Sequence, residues 1–253
     1  MIMAVFIEGL SLIGLFLTRR FVLPRFHHTE HINDAVSGTV QAIGVFYGIT
    51  VGLMAIGVWN NFAKDADLVS REAISIGGLY RDVSGYPSPI RDELRATLRE
   101  YTVFILEEAW PAQRIGKGQT LDHGTRIMDA FQSKLYSFEP QTAGQTALHT
   151  QSLNAYNTLI EYRRLRIDAV NSGLPPIMWL VIWLGAMISV GVAYFYKIQD
   201  ARLHALLIAM MAGFLTLAIF MIVINDKPFY GNTGVSPDPY KLILERLIDV
   251  SGS

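Results

Sequence analysis

His27-His28-Thr29-Glu30-His31 is the stretch whose residue types and spacing match a catalytic pattern, H-x-x-E-H, in which two histidines and a distant acid would hold zinc. That chemistry requires the pattern on a helix of a packed, soluble core. Here it lies in a loop a few residues from an apolar run and beside Arg19, Arg20 and Arg25, so the residues predict a solvated interfacial loop and not a metal centre. There is no phosphate loop, dinucleotide fingerprint or Gly-x-Ser-x-Gly elbow. The absence of Cys excludes disulfides, thiolate metal sites and a Cys nucleophile. The expectation is a protein that is not an enzyme and holds no metal or cofactor.

The elements that would position any function are apolar. Hydrophobic residues make up 51 % of the 253, only 17 % are charged against roughly 25 % in soluble domains, and mean hydropathy is +0.30. A net charge of -1 offers no basic face for nucleic acid. The apolar residues are gathered into blocks. Residues 177–196 and 205–224 carry no charge, and each has the length of about 20 residues needed to cross roughly 30 Å of hydrocarbon. The short polar link 197–204 makes them a hairpin. Residues 39–59 form another uncharged stretch, and residues 2–18 a fourth that carries Glu8. Nothing basic precedes the first stretch, while three arginines follow it, the reverse of a signal peptide. The chain therefore predicts a multi-pass protein of the inner membrane. The basic flanks place the first loop and the 197–204 link in the cytoplasm and the large central segment outside.

No Pro or Gly lies between Gly57 and Gly77, and Phe62, Ala66, Val69, Ala73, Ile76 and Tyr80 form an amphipathic stripe. The second span is thus expected to run out of the bilayer as one helix on the order of 55 Å long. Ser88-Pro89 followed by Asp92 and Glu93 reads as an N-cap, an N1 proline and acidic first-turn residues of a helix, and Pro111 as the end of that helix after Trp110. Two further helices are expected over residues 122–136 and 142–172, the last closed by Gly173 and Pro175-Pro176. The fold class is all-α and polytopic, with four transmembrane helices and a helical extramembrane domain between the second and third. The expected organisation is 1–61 for the first two spans, 62–173 for the domain, 174–225 for the hairpin and 226–253 for a tail.

Gly44, Gly48 and Gly52 repeat every four residues on the second span, a spacing that lets helices approach closely in lipid. At about 100° per residue, Thr39, Tyr47, Thr50 and Asn61 fall in a sector about 80° wide, roughly opposite the glycines. They are the pore-lining candidates. Gly185, Ser189 and Ala193 make a second small-residue line, read as plain packing. Glu8 is the only acid inside an apolar span, and its nearness to the terminus predicts a place at the interface.

Several short motifs then carry a resemblance: Val69-Ser-Arg-Glu72-Ala73, Glu107-Glu-Ala-Trp110-Pro111, Leu174-Pro175 leading into Trp179, and Lys227-Pro228-Phe229-Tyr230-Gly231. With the architecture, they resemble the bestrophin-like proteins of bacteria and plants, once known only as a domain of unknown function. Bestrophins are pentameric anion channels with four spans per subunit and a pore lined chiefly by the second. The resemblance implies a homo-oligomeric channel for inorganic ions, anions by preference, in a lipid bilayer. The competing reading is a membrane-anchored sensor or assembly protein whose long helix couples the domain to partners.

Overall fold

The computed structural model describes residues 2–25, 32–116 and 122–249, with side chains from residue 5 onward. The His27, His28, Glu30 and His31 pattern lies outside the described residues. Every described element is helical: α1 (Ile2–Leu17), α2 (Ile32–Val83), α3 (Ile90–Phe104), α4 (Trp110–Arg114), α5 (Asp122–Tyr136), α6 (Ala143–Val170), α7 (Pro176–Ala193), α8 (Ala201–Asp226) and α9 (Asp238–Ile243). The chain divides into two compact units, Met1–Asn60 with Gly173–Asp226, and Asn61–Ser172 with Lys227–Ser253. α2 contributes to both as one helix of 52 residues, about 78 Å long at 1.5 Å per residue. Because nothing interrupts its backbone ladder before Val83, it is longer at both ends than the sequence stripe marked.

Three described helices, α2, α7 and α8, are long and apolar enough to cross a membrane. α1 has 16 residues and is not among them, since its regular part stops at Leu17 where a π turn, Thr18–Val22, begins. In the first unit Tyr47, Val51 and Val58 of α2 pack with Ile182 of α7 and Ile219 and Ile222 of α8, while Leu15 of α1 packs with Ala193 and Ile208. Polar ties close the helix ends. The Leu174 N–H donates to Asp226 Oδ1 at 2.6 Å. The Lys197 N–H donates to Asn33 Oδ1 at 2.8 Å.

The second unit is a helical core around α2, α3, α5 and α6. The tail belongs to it, because Phe229, Val235, Tyr240 and Ile248 are buried there. Three local expectations are corrected. Pro111 does not end the helix: the π turn Ile105–Ala109 precedes it and leaves it in the first turn of α4, where a missing N–H is tolerated. The helix after Pro89 begins at Ile90 without a side-chain cap, because the Ser88 hydroxyl donates instead to Asp92 Oδ2 at 2.8 Å. Gly173 is not a left-handed cap, since the positive-φ glycines among the described residues are Gly116 and Gly231.

Candidate functional site

In the first unit, α2 is packed on one side and open on the rest. Tyr47 is buried and its hydroxyl donates to the Ile182 carbonyl at 2.8 Å, with its ring lying over Gly185. Tyr47, one of the pore-lining candidates, is thus committed to α7 within the chain, because a large amphipathic ring with a backbone acceptor in reach gains by packing against a glycine. The Thr39 hydroxyl donates to Ala35 O at 2.9 Å and the Thr50 hydroxyl to Phe46 O at 2.8 Å, the usual way such groups are satisfied in apolar helices. Thr39 and Asn61 are exposed and Thr50 is half-buried. Thr39 and Thr50 thus lie off the buried face of α2 that carries Tyr47, and Asn61 belongs to the second unit.

Gly44, Gly48 and Gly52 are exposed, and a methyl group placed on any of them would meet no atom within 4 Å. Among the described residues nothing packs on this line. Beside them Val45, Phe46, Ile49, Leu53 and Ile56 are all more than half exposed. The second small-residue line behaves differently, because Gly185, Ser189 and Ala193 are turned inward, Ser189 and Ala193 being buried.

In the second unit, the motif residues converge. Glu72 is fully buried and its carboxylate is saturated: Arg166 donates through Nε to Oε2 and through Nη2 to Oε1 at 3.2 Å, Tyr101 donates to Oε1 at 2.7 Å, and Tyr240 donates to Oε2 at 3.0 Å. Four donors meet the roughly four lone-pair directions of a carboxylate. Burial, and then the Glu72 charge, push the Tyr101 and Tyr240 hydroxyls up, so both stay protonated and keep donating. Burial pulls the Arg166 guanidinium down, but Glu72 beside it holds it above its ordinary value. Arg166 Nη1 remains without a partner.

Tyr240 also sets its ring edge against Trp110 at 5.9 Å, and Trp110 meets Phe229 at 5.8 Å. The segment after Phe229 is fixed by backbone bonds. Gly231 has φ +72°, which a side chain would strain, and its N–H donates to Arg114 O at 3.1 Å. The Val235 N–H donates to Pro228 O at 2.7 Å. Glu72, Trp110, Pro111, Pro228, Phe229 and Gly231 thus belong to one structural knot that clamps α2, α4, α6 and the tail. Arg166 is the partner that sequence reasoning does not pick out. Its spacing with Leu159, Arg163 and Val170, all buried, follows the inward stripe of a helix and was the available signal.

The outward side of α2 in this unit borders a cleft of about 610 Å³ shared with α6, lined by Asp67, Arg71, Ser75 and Asp82 opposite Gln151, Asn154, Thr158 and Tyr162. On the inward side, Asp65 is buried with Oδ2 unpartnered. Burial pushes its carboxyl up to about 6 against the opposing pull of Lys64. Because the folded form prefers the protonated acid, its contribution to stability is complete below the ordinary carboxylate range and is lost as pH rises through about 6. Asp65→Asn is expected to flatten that dependence: relative to the variant, wild type should lose on the order of 1–3 kcal/mol between about pH 4 and pH 8. Parallel unfolding curves for the two proteins across pH would contradict it.

An α-helical chain with a long helix running from an apolar unit into a helical domain is the architecture of bestrophins, and comparison with solved structures bears this out. A membrane protein carrying a proline-to-alanine substitution superposes with a TM-score of 0.70 at 11 % identity, covering 100 % of both chains. A bacterial bestrophin homologue from Klebsiella pneumoniae with a leucine-to-threonine substitution gives 0.67 at 11 % identity over 99 % of this chain and 98 % of that one. A tyrosine-to-alanine variant of the Klebsiella pneumoniae homologue gives 0.69 at 12 % identity over 100 % and 99 %. No curated protein matches the sequence. The family model of the bestrophin-like domain matches residues 5–240, and the chain belongs to that family. Among the described residues no group of three or more His, Asp or Glu is gathered in the manner of a metal site.

Proposed function

We propose that the protein is a homo-oligomeric ion channel of the inner membrane, with α2 beside the conduction path and α1 as a fourth span. Membership of the bestrophin-like family supports the channel reading. The observation that carries the role of α2 is its divided surface: Tyr47, Val51 and Val58 are committed to α7 and α8, while the glycine line and the adjoining face have no partner among the described residues. Helices of a ring must offer one face to their own subunit and another to a neighbour or to the central path. α1 packs along α8, and the apolar stretch of residues 2–18 has about 17 residues, the short end of what suffices to span. Anions are the proposed permeant class. No basic residue lies within the apolar parts of α2, α7 or α8, so selection rests on backbone and hydroxyl dipoles or on basic residues of the second unit, such as Arg71 in the cleft.

Thr50 and Thr216 make a matched test of the path. Both hydroxyls donate to the carbonyl four residues back at 2.8 Å, but Thr216 is buried inside the chain and Thr50 is toward the open side. Thr50→Val is expected to change conductance or anion-to-cation preference by roughly twofold or more, since wall dipoles tune ion barriers, and Thr216→Val to leave both unchanged. Equal currents from wild type and both variants would remove α2 from the path.

The basic residues after α1 and in the link before α8 place those loops in the cytoplasm and the second unit outside. A reporter that is active only in the cytoplasm, fused after Pro111, is therefore expected to be silent. A strong signal would invert the orientation.

A further inference from the structure

Glu8 occupies a depth at which membrane helices seldom keep a carboxyl. It shares one face of α1 with Ser11 and Leu15, which are buried, because positions three and seven residues apart stack on a helix. That face packs on α8, where a methyl group placed on Gly213 would stand 3.2 Å from Glu8 Oε1. Gly213 lies 12 residues from the first residue of α8 and 13 from the last, about 18–20 Å from either end at 1.5 Å per residue. It is the middle of a helix long and apolar enough to cross a membrane.

A second contact fixes the same depth from the other helix. Arg19, eleven residues after Glu8, donates from Nη1 to His204 Nδ1 at 3.2 Å near the start of α8, so Glu8 stands about 16 Å along α1 from that charged end. With α8 spanning the bilayer, Glu8 stands away from the interface expected for it, because the missing side chain of Gly213 opens room for the carboxyl there.

Among the described residues of α1, α7 and α8 no counter-charge accompanies it. α1 and α7 contain no Lys, Arg or His, and α8 has no ionisable residue between His204 and Asp226. The titratable group beside the same face of α1 is Tyr194, whose hydroxyl donates to Ser11 O at 2.8 Å. Intramembrane acids turned to a helix interface and left without a cation mark proton or ion pathways.

We propose that Glu8 is a proton-binding site within the membrane, its carboxyl taking up and releasing a proton against Gly213, so that occupancy changes the charge of the α1 and α8 pair by one unit. The proposal rests on α1 and α8 spanning the bilayer and not on conduction, so a failed flux measurement leaves it standing.

Dicyclohexylcarbodiimide tests it. This apolar reagent adds across a protonated carboxyl, whose proton passes to a carbodiimide nitrogen while its oxygen bonds the central carbon, and the adduct rearranges to a stable N-acylurea. The full-length protein in phosphatidylcholine vesicles is treated and its modified peptides are mapped by mass spectrometry. Glu8 is expected to be the main modified residue among the 22 acids, labelled severalfold more in mildly acidic than in alkaline buffer. A water-soluble carbodiimide should leave it unmodified, and Gly213→Leu, which fills the carboxyl's place, should lower its labelling severalfold. An unmodified Glu8 beside other labelled acids, labelling independent of pH, or protection by sodium ions, which would indicate a metal-cation site, would each overturn the proposal.

Discussion

Replacing Arg166 with Met is expected to cost the second unit about 3–5 kcal/mol, because it strands the fully buried Glu72 carboxylate with only the Tyr101 and Tyr240 hydroxyls as donors. At 2–4 °C per kcal/mol for a chain of this size, the unfolding midpoint should fall by roughly 6–20 °C. The loss comes from the uncompensated charge and not from the net worth of the pair. Glu72→Gln combined with Arg166→Met should therefore be markedly less damaging than Arg166→Met alone, with a coupling energy of about 1–3 kcal/mol. With Trp59, Trp179 and Trp183 replaced by Phe, the emission of Trp110, whose ring centroid lies 5.9 Å from that of Tyr240, reports unfolding at the knot itself. A single variant within about 1 kcal/mol of wild type would mean that water reaches Glu72 and that the buried network is not what clamps α2 to the tail.

Gly48→Leu is expected to abolish assembly while leaving the subunit folded. The two effects separate because Gly48 is exposed and a Cβ placed on it meets no described atom within 4 Å, so a side chain there points away from the subunit's own packing. In lipid, helices associate through close contact at small residues, and a leucine in the middle of the Gly44, Gly48 and Gly52 line holds the backbones apart. The oligomer mass in detergent should collapse toward the 28.2 kDa of one chain, with helical content and the unfolding of the second unit unchanged. Gly57→Leu serves as the control, since Gly57 is equally open but lies off the glycine line. An intact oligomer from Gly48→Leu would place the subunit contact on another surface.

The sequence made some of this legible and hid the rest for identifiable reasons. The continuity of α2 could be read directly, because a helix without Pro or Gly over nineteen residues and with a clear inward stripe has no physical reason to stop. The all-α class and the motif positions at Glu72, Trp110 and Phe229 were legible for a similar reason, each being a local feature of composition or order. What could not be read was pairing between distant segments. Glu72 and Arg166 are 94 positions apart, and nothing local announces that one satisfies the other.

Tyr47 shows a second limit. Angular position on a helix says which residues share a side, but not which side the rest of the chain will cover, and the ring of Tyr47 turned to Gly185 once α7 stood beside it. Pro111 shows a third. Proline forbids one hydrogen bond, and the π turn before it had already given up that bond, so the helix passed through. Glu8 shows the same kind of limit, since its distance from the terminus does not reveal that Gly213 of α8 opens a place for its carboxyl.

The channel reading is tested most directly by chloride efflux from liposomes that contain the purified wild-type oligomer and no other protein. Family membership and the open face of α2 predict efflux that rises with the amount of protein and is absent from Gly48→Leu, which cannot close a ring. Chloride and potassium release no faster than from protein-free liposomes, from an oligomer shown to be intact, would contradict it and leave a membrane-anchored assembly protein.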